Sequence, residues 1–384
     1  MSGVRWADGG TVRADVSALR VRLCTDEREF AALAPAWERL YRRCGAATPF
    51  QSHAWLHSWW TSYGRPGRLR LVLVRDGGEH GELRAVAPLM RVGSPLPRLV
   101  PLGGAISDFG DVLLDDEHAD RAAPALAEAL SAAASTALID FREVRPGGAV
   151  ERVYEHWNGP RRRLRDSLCL ELPAVPMEEL AARLPSSKAQ RVRAKLRKLT
   201  ALGVTRRTAA PDEVDAALRR LLALHRLQWQ GRGVTPEHLQ ERFGAHLVRA
   251  VGPMVRSGDA VVTEFLLDGE VVAVDLTLLS PRLAGGYLYG AHPRLRERKA
   301  DVAVMLLDAC ARHTGTGERD TLSLLRGDEP YKRHWLPEPV VNQRLLLARR
   351  RTAPLLSAVV CEVSARNRVR ELVRGWKERG GGKN

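Results

Sequence analysis

Three groups of residues in this sequence have the chemistry to bind or turn over a ligand. The first is a carboxylate out of place: Asp275 interrupts the apolar run 271–279. Burying an ionised group unpaired is expensive, so Asp275 either faces a cleft, where it would serve as a base, or sits on a solvated face of its strand. The second is a cationic loop, in which Arg294, Arg296, Arg298 and Lys299 precede a segment whose Val302, Met305, Leu306 and Ala309 recur at helical spacing. A helix start offers unpaired amides and a positive dipole end, which makes 293–301 the place expected for a phosphorylated donor. The third is an acidic loop after Gly103-Gly104, where Asp108 and Asp111 suit a cationic amine and suit turn chemistry equally well.

His225 shares a helical face with Leu218, Leu221 and Trp229, as a hydrogen-bonded core histidine or as a site residue. His292 ends the strand beside the cationic loop, and Lys332 could neutralise a phosphate or carboxylate or stand solvated. No Ser-His-Asp order, zinc-ligand spacing or phosphate-binding Walker loop occurs, which removes the corresponding hydrolase, metal and nucleotide-hydrolysing classes.

The elements that must position these residues follow from periodicity. From 204 to 347 the pattern predicts a strand, two helices, three antiparallel strands, a helix, a strand, a short helix and a strand. Asp268-Gly269 is a hairpin signal between the strands at 260–267 and 271–280. Ser186 or Ser187 is expected to cap a helix carrying Lys188, Arg191, Arg193, Lys195, Arg197 and Lys198, and Asp328 to cap the short helix after 327. The first half reads as strand 19–24, a helix through Trp37, an aromatic helix after Ser52, strands at 69–75 and 83–90, a helix at 119–134, and strands at 138–143 and 168–172. It is a worn version of the second half by element order alone.

Gly327-Asp328-Glu329-Pro330-Tyr331-Lys332 followed by Trp335 resembles the signature that closes the catalytic domain of CelD-like acetyltransferases, a branch of the GNAT superfamily. Phe50-Gln51-Ser52-His53-Ala54-Trp55-Leu56 with Trp59-Trp60, Ala87-Pro88-Leu89, the loop 107–111, and His225 with Trp229 look like further landmarks of that family, in its order. The resemblance implies an α/β fold of two tandem GNAT-like domains with mixed, mainly antiparallel sheets flanked by helices, plus a C-terminal helix. It also implies an acetyl-CoA or other acyl-CoA donor lying between the strands 283–291 and 321–325. An amine would attack the thioester directly, with Tyr331 as the acid for the leaving thiolate. The superfamily's phosphate loop carries small residues, whereas Arg296-Glu297-Arg298-Lys299-Ala300-Asp301 has no glycine, so side-chain charge would have to replace amide contacts. That departure, with the basic helix at 187–202, favours the alternative of a Fem-type enzyme using aminoacyl-tRNA.

At 384 residues, 45% hydrophobic and 27% charged, the chain is globular and long enough for two domains. The expected division is a disordered leader at 1–17, a degenerate GNAT-like domain at 18–173 bounded by Pro173 and Pro176, an acyltransferase domain at 174–348, and a basic amphipathic helix at 349–384. Five scattered cysteines form neither a disulfide framework nor a metal pair, and no signal peptide is read, so a cytoplasmic protein is expected. The net charge of +15 is local: 161–207 holds 13 Lys/Arg against 4 Asp/Glu, 344–384 holds 11 against 3, and the remainder is near neutral. Two basic patches suit a nucleotide donor, tRNA or an anionic membrane surface, and a non-catalytic basic binding module is the third reading.

Overall fold

The structure, a computed structural model, describes residues 12–13, 19–77, 81–93, 96–228, 236–314 and 319–380. Most of the expected leader lies outside the described residues, as does Trp229. Among those described, fourteen strands form one sheet. In chain order they are β1 (Val12–Arg13), β2 (Leu19–Cys24), β3 (Leu69–Asp76), β4 (Glu82–Val92), β5 (Arg98–Pro101), β6 (Leu113–Leu114) and β7 (Leu138–Val144). The second half follows with β8 (Arg161–Pro173), β9 (Thr205–Thr208), β10 (Ala260–Leu267), β11 (Glu270–Leu279), β12 (Leu283–Ala291), β13 (Thr321–Arg326) and β14 (Glu338–Leu347). Across the sheet they run β1-β2-β3-β4-β5-β7-β14-β8-β13-β12-β11-β10-β9, with β6 on β4.

All these pairings are antiparallel except two, β5 with β7 and β12 with β13. Each half thus repeats one design, a meander ending in a parallel pair that holds together for only two or three residues. Arg98–Leu99 pairs with Leu138–Ile139, and Leu283–Gly285 pairs with Thr321–Ser323. The expected α/β class with mixed, mainly antiparallel strands is what the chain adopts, and the two sheets are joined edge to edge. The joint is an exchange: β8, from the first half, pairs with β13, while β14, from the second, pairs with β7, and the two meet each other along their length.

Local chemistry explains much of this. The hairpin between β10 and β11 turns on Asp268 (φ 54°) and Gly269 (φ 79°), both left-handed as that turn requires. Helix Val214–Gln228 buries Val214, Leu218, Leu221 and His225. It lies so close to β12 that a Cβ at Gly290 would come within 2.4 Å of the His225 amide. On the opposite face, helix Val302–Ala311 and the basic helix Ser186–Ala201 cover β11 to β13 through Val192, Val304 and Leu307. Helix His53–Tyr63, whose tryptophans are buried, packs on helix Glu241–Ser257, and Ser58 Oγ donates to His246 O at 2.8 Å. One large apolar cluster spans both halves, with smaller separate clusters beside it.

Candidate functional site

Where β12 and β13 part, they open a cleft of about 130 Å³ on the side covered by helix Val302–Ala311. Its walls include Asp275 on β11, Gly286 and Tyr289 on β12, Cys310 on the helix, Ser323 on β13, and Tyr331 and Lys332 beyond it. Asp275, Tyr331 and Lys332, far apart in sequence, are therefore neighbours in one cavity. Tyr289, Cys310 and Ser323 join them without a sequence signal, because each sits within an ordinary apolar element.

Asp275 is 3% exposed and accepts a hydrogen bond from Thr277 Oγ1 at 2.8 Å. Burial raises its carboxyl pKa to about 7, with the Thr277 bond opposing. Tyr331 stands half-exposed at the mouth, and burial together with the Glu329 carboxylate raises its phenol, so it keeps its proton at neutral pH. Burial likewise raises the Cys310 thiol to about 12, and the nearby Asp275 adds to this, so Cys310 is a neutral wall residue and not a nucleophile.

Lys332 is buried and committed: its Nζ donates to Arg326 O at 2.8 Å and pairs with Glu329 Oε2 at 2.8 Å. It pins the turn after β13, which Gly327 permits by adopting φ 113°. Asp328 does not cap the short helix Pro330–Arg333, since Glu329 holds that position and Asp328 pairs with Arg333. Ser186 and Ser187 likewise fall inside their helix, whose cap is Pro185.

A second groove, of about 600 Å³, adjoins the first across Tyr289 and is lined by Gln228, His292, Pro293, Arg296, Asp301 and Val302. The cationic loop folds there as one helical turn, Arg294–Glu297, and Lys299 turns the chain back at φ 54°. Asp301 caps the following helix: its Oδ1 accepts from Val304 N at 3.0 Å, and its Oδ2 pairs with Lys195 at 2.6 Å. The protein's own carboxylate thereby takes the Val304 amide and sets a negative charge at the helix start, where a pyrophosphate would lie. Arg294 is spent on Glu270 at 2.6 Å, whereas Arg296, Arg298 and Lys299 form no ion pair among the described residues. Burial first, and then the charges of Lys195, Lys188 and Arg191 on the basic helix, lower the pKa of His334.

The remaining expected site residues lie elsewhere. His225 is buried on the far face of β12, with Nδ1 bonded to Tyr289 O at 2.7 Å, and does not line the cleft. Asp111 is a structural carboxylate rather than an amine site: it is buried and accepts from the amides of Val112 (2.7 Å), Ala149 (2.8 Å) and Val150 (2.8 Å). Asp108 already has its cation, Arg326, at 2.5 Å. Arg326 also reaches Glu143 at 3.3 Å and Ala105 O at 2.9 Å, tying the acidic loop to the end of β13. Sequence reading missed this seam because Arg326 and Glu143 have no local partner.

In the first half the corresponding strands, β5 and β7, also part after a short parallel pairing. There, Gly110 N donates to Glu143 O at 3.0 Å and bridges the gap between β5 and β7, and a Cβ at Gly110 would meet Arg142 O at 2.5 Å. Its corresponding helix, Ala119–Ala133, begins behind Asp115, Asp116 and Glu117, a poor setting for phosphate.

Residues 186–333, which contain the cleft, match the family of acetyltransferase (GNAT) domains. The fold resembles that of FemX, at 11% identity and TM-score 0.58 over 87% of this chain and 99% of that one. It also resembles the C-terminal domain of a putative lysylphosphatidylglycerol synthetase from Agrobacterium fabrum, at 11% identity and TM-score 0.52 over 87% of this chain and 96% of that one. L-PGS from Bacillus licheniformis is similar at 12% identity and TM-score 0.51 over 86% and 96%. At such identities the likeness is one of fold. No curated protein sequence matches the chain. No helix among the described residues is long and apolar enough to cross a membrane.

Proposed function

We propose that this protein is a GNAT-type N-acyltransferase, of the CelD-like branch, that moves a small acyl group from an activated carrier to an amine in the cleft between β12 and β13. The observation that carries this reading is the convergence of Asp275, Tyr331 and Lys332 on one cavity where a parallel strand pair parts, next to a cationic groove. In the proposed step the neutral amine nitrogen adds to the acyl carbonyl carbon and forms the C–N bond. The tetrahedral intermediate then collapses with cleavage of the bond to the carrier. The leaving group, a thiolate from a thioester carrier or an alkoxide from an ester, takes the Tyr331 proton, which solvent restores, and the amine's proton passes to water at the mouth. Lys332 holds the turn that aims Tyr331. The acceptor is a small molecule with a primary amine, or a cell-envelope or natural-product precursor carrying one.

With acyl-CoA as carrier, the phosphates fall to the side chains of Arg296, Arg298 and Lys299, since Asp301 takes the Val304 amide and sets its charge at the helix start. Calorimetry with acetyl-CoA tests this: saturable binding that weakens about tenfold or more in Arg298→Ala or Lys299→Ala supports it, and no binding rejects the carrier. The occupied helix start and the cations Lys188, Arg191 and Lys195 favour a second carrier, aminoacyl-tRNA. For that carrier, affinity falls steeply with salt as each phosphate contact releases counterions. With either carrier, Tyr331→Phe is expected to lower the kcat of acyl transfer about 100-fold with little change in KM. An unchanged kcat removes Tyr331 as the acid.

A further inference from the structure

Seven carboxylates are buried in the described chain, and six of them are answered. Asp115 has Arg43 and Arg84, Asp140 has Arg344, Glu171 has Arg145, Asp259 has Arg42, and Glu264 has Arg207 and Arg220. Asp111 has three backbone amides. Asp275 is the exception. Its one hydrogen bond comes from the neutral Thr277, and no Lys, Arg or His lies within ion-pair distance among the described residues. Lys332, the cation that shares the cavity, is turned to Glu329 and Arg326.

The free side of this carboxylate faces the cleft. Asp275 Oδ1 lies 3.9 Å from where a Cβ would stand on Gly286, a residue without a side chain that is itself part of the wall. The surroundings are otherwise apolar or neutral: Ala303, Leu306, Leu307, Cys310 and Leu322. An acyl pocket for acetate or a fatty chain needs no carboxylate at its floor, and such a group weakens the binding of an apolar chain. A carboxylate that the protein leaves without a cation is satisfied if the ligand brings one.

We propose that Asp275 receives a ligand ammonium, so that the acyl group accepted by this cleft carries its own amine, as an aminoacyl group does. The inference rests on the reading of the cleft as the acyl site, and it is independent of whether the carrier is coenzyme A or RNA. It gives Asp275 a binding role in place of the base expected from sequence. A base must meet an acceptor arriving from solvent, whereas Asp275 is 3% exposed beneath helix Val302–Ala311 and the opening is at Tyr331.

The test uses two small thioesters that differ only in an ammonium replacing a methyl group, S-glycyl- and S-propionyl-N-acetylcysteamine, titrated into the full chain at pH 7. Glycyl is expected to bind about tenfold or more tightly than propionyl, because a buried charge-assisted pair is far stronger than the contact it replaces. In Asp275→Asn, which keeps the volume, the preference disappears through loss of glycyl affinity, while propionyl binds at least as tightly as to the wild type. The wild-type comparison stands even if that variant folds poorly. Equal binding of the two thioesters overturns the ammonium site and leaves the acyl cleft standing. A glycyl preference that survives Asp275→Asn overturns the role of this residue. Failure of both thioesters to bind overturns the acyl-cleft reading and this inference with it.

Discussion

Asp275 and Glu264 both interrupt apolar strands, yet their surroundings differ. Glu264 is held between Arg207 (2.6 Å) and Arg220 (2.5 Å), whereas Asp275 has only Thr277. For Asp275 the folded pKa, about 7, lies above the unfolded value of about 3.9. Between those values the unfolded chain has lost the proton and the folded chain has kept it. Stability therefore falls as pH rises from about 4 to 7, and the whole cost is present above 7, with a ceiling of about 4 kcal/mol. Asp275→Asn removes the cost. It is expected to match the wild type near pH 4 and to be more stable by a kcal/mol or more at pH 8. Urea denaturation at both pH values checks this, and a variant less stable at pH 8 would show that the carboxylate has a cation. Sequence exposed Asp275 because a charge in an apolar strand is a local anomaly. The partners that separate it from Glu264 come from other elements, and no spacing reveals them.

The elements around the cleft were legible where turn chemistry or periodicity is local. Asp268-Gly269 announced its hairpin, and Val214, Leu218 and Leu221 announced their helix. Caps were less legible, because neighbouring residues compete for the position: Pro185 and Glu329 hold the places expected for Ser186 and Asp328. The first seven residues of β8 escaped notice because Arg161, Arg162, Arg163 and Arg165 carry no strand pattern; the strand is defined by β14, which lies along it. The cationic segment does precede a helix, but it holds a helical turn of its own, Arg294–Glu297, and the helix start it faces is capped by Asp301. Asp301→Ala should cost about 1 kcal/mol by removing the cap. It should also free the Val304 amide and the Lys195 ammonium, so that inorganic pyrophosphate binds more tightly than to the wild type. Calorimetry with pyrophosphate decides the matter, and unchanged affinity would mean the amides are not the limiting feature. At the turn beyond β13, Gly327 has φ 113°, a conformation side-chain-bearing residues rarely adopt. Gly327→Ala should therefore destabilise by about 1 kcal/mol or more and displace Tyr331 and Lys332. A thermal unfolding curve superimposed on the wild type would refute this.

At the scale of the whole molecule, the exchange of β8 and β14 governs how the two halves depend on each other. β14 is the strand between β7 and β8, and β8 is the strand between β14 and β13. Cutting the chain at Pro173, where composition suggested a boundary, gives a first piece whose β7 and β8 have lost the strand that joins them. The second piece keeps β13 and β14 but loses β8, against which both are paired. The lost strands also carry charge. Arg344 on β14 makes a bidentate pair with Asp140 on β7, at 2.7 and 2.6 Å, and both are buried, so the first piece would bury Asp140 without its principal cation. Removing one partner of such a pair costs about 3–5 kcal/mol, a large share of the stability of a single domain. Neither fragment 1–173 nor fragment 174–384 is expected to unfold cooperatively alone, while the two expressed together should reassemble and recover one transition. In the intact chain Arg344→Ala should lower stability by the same 3–5 kcal/mol, and Arg344→Met paired with Asp140→Leu should recover most of it. A sharp independent transition in either fragment would mean that the exchanged strands are ornaments on two self-sufficient domains. Absence of a cooperative transition in both fragments would mean that the cleft is built only when each half has received its last strand from the other.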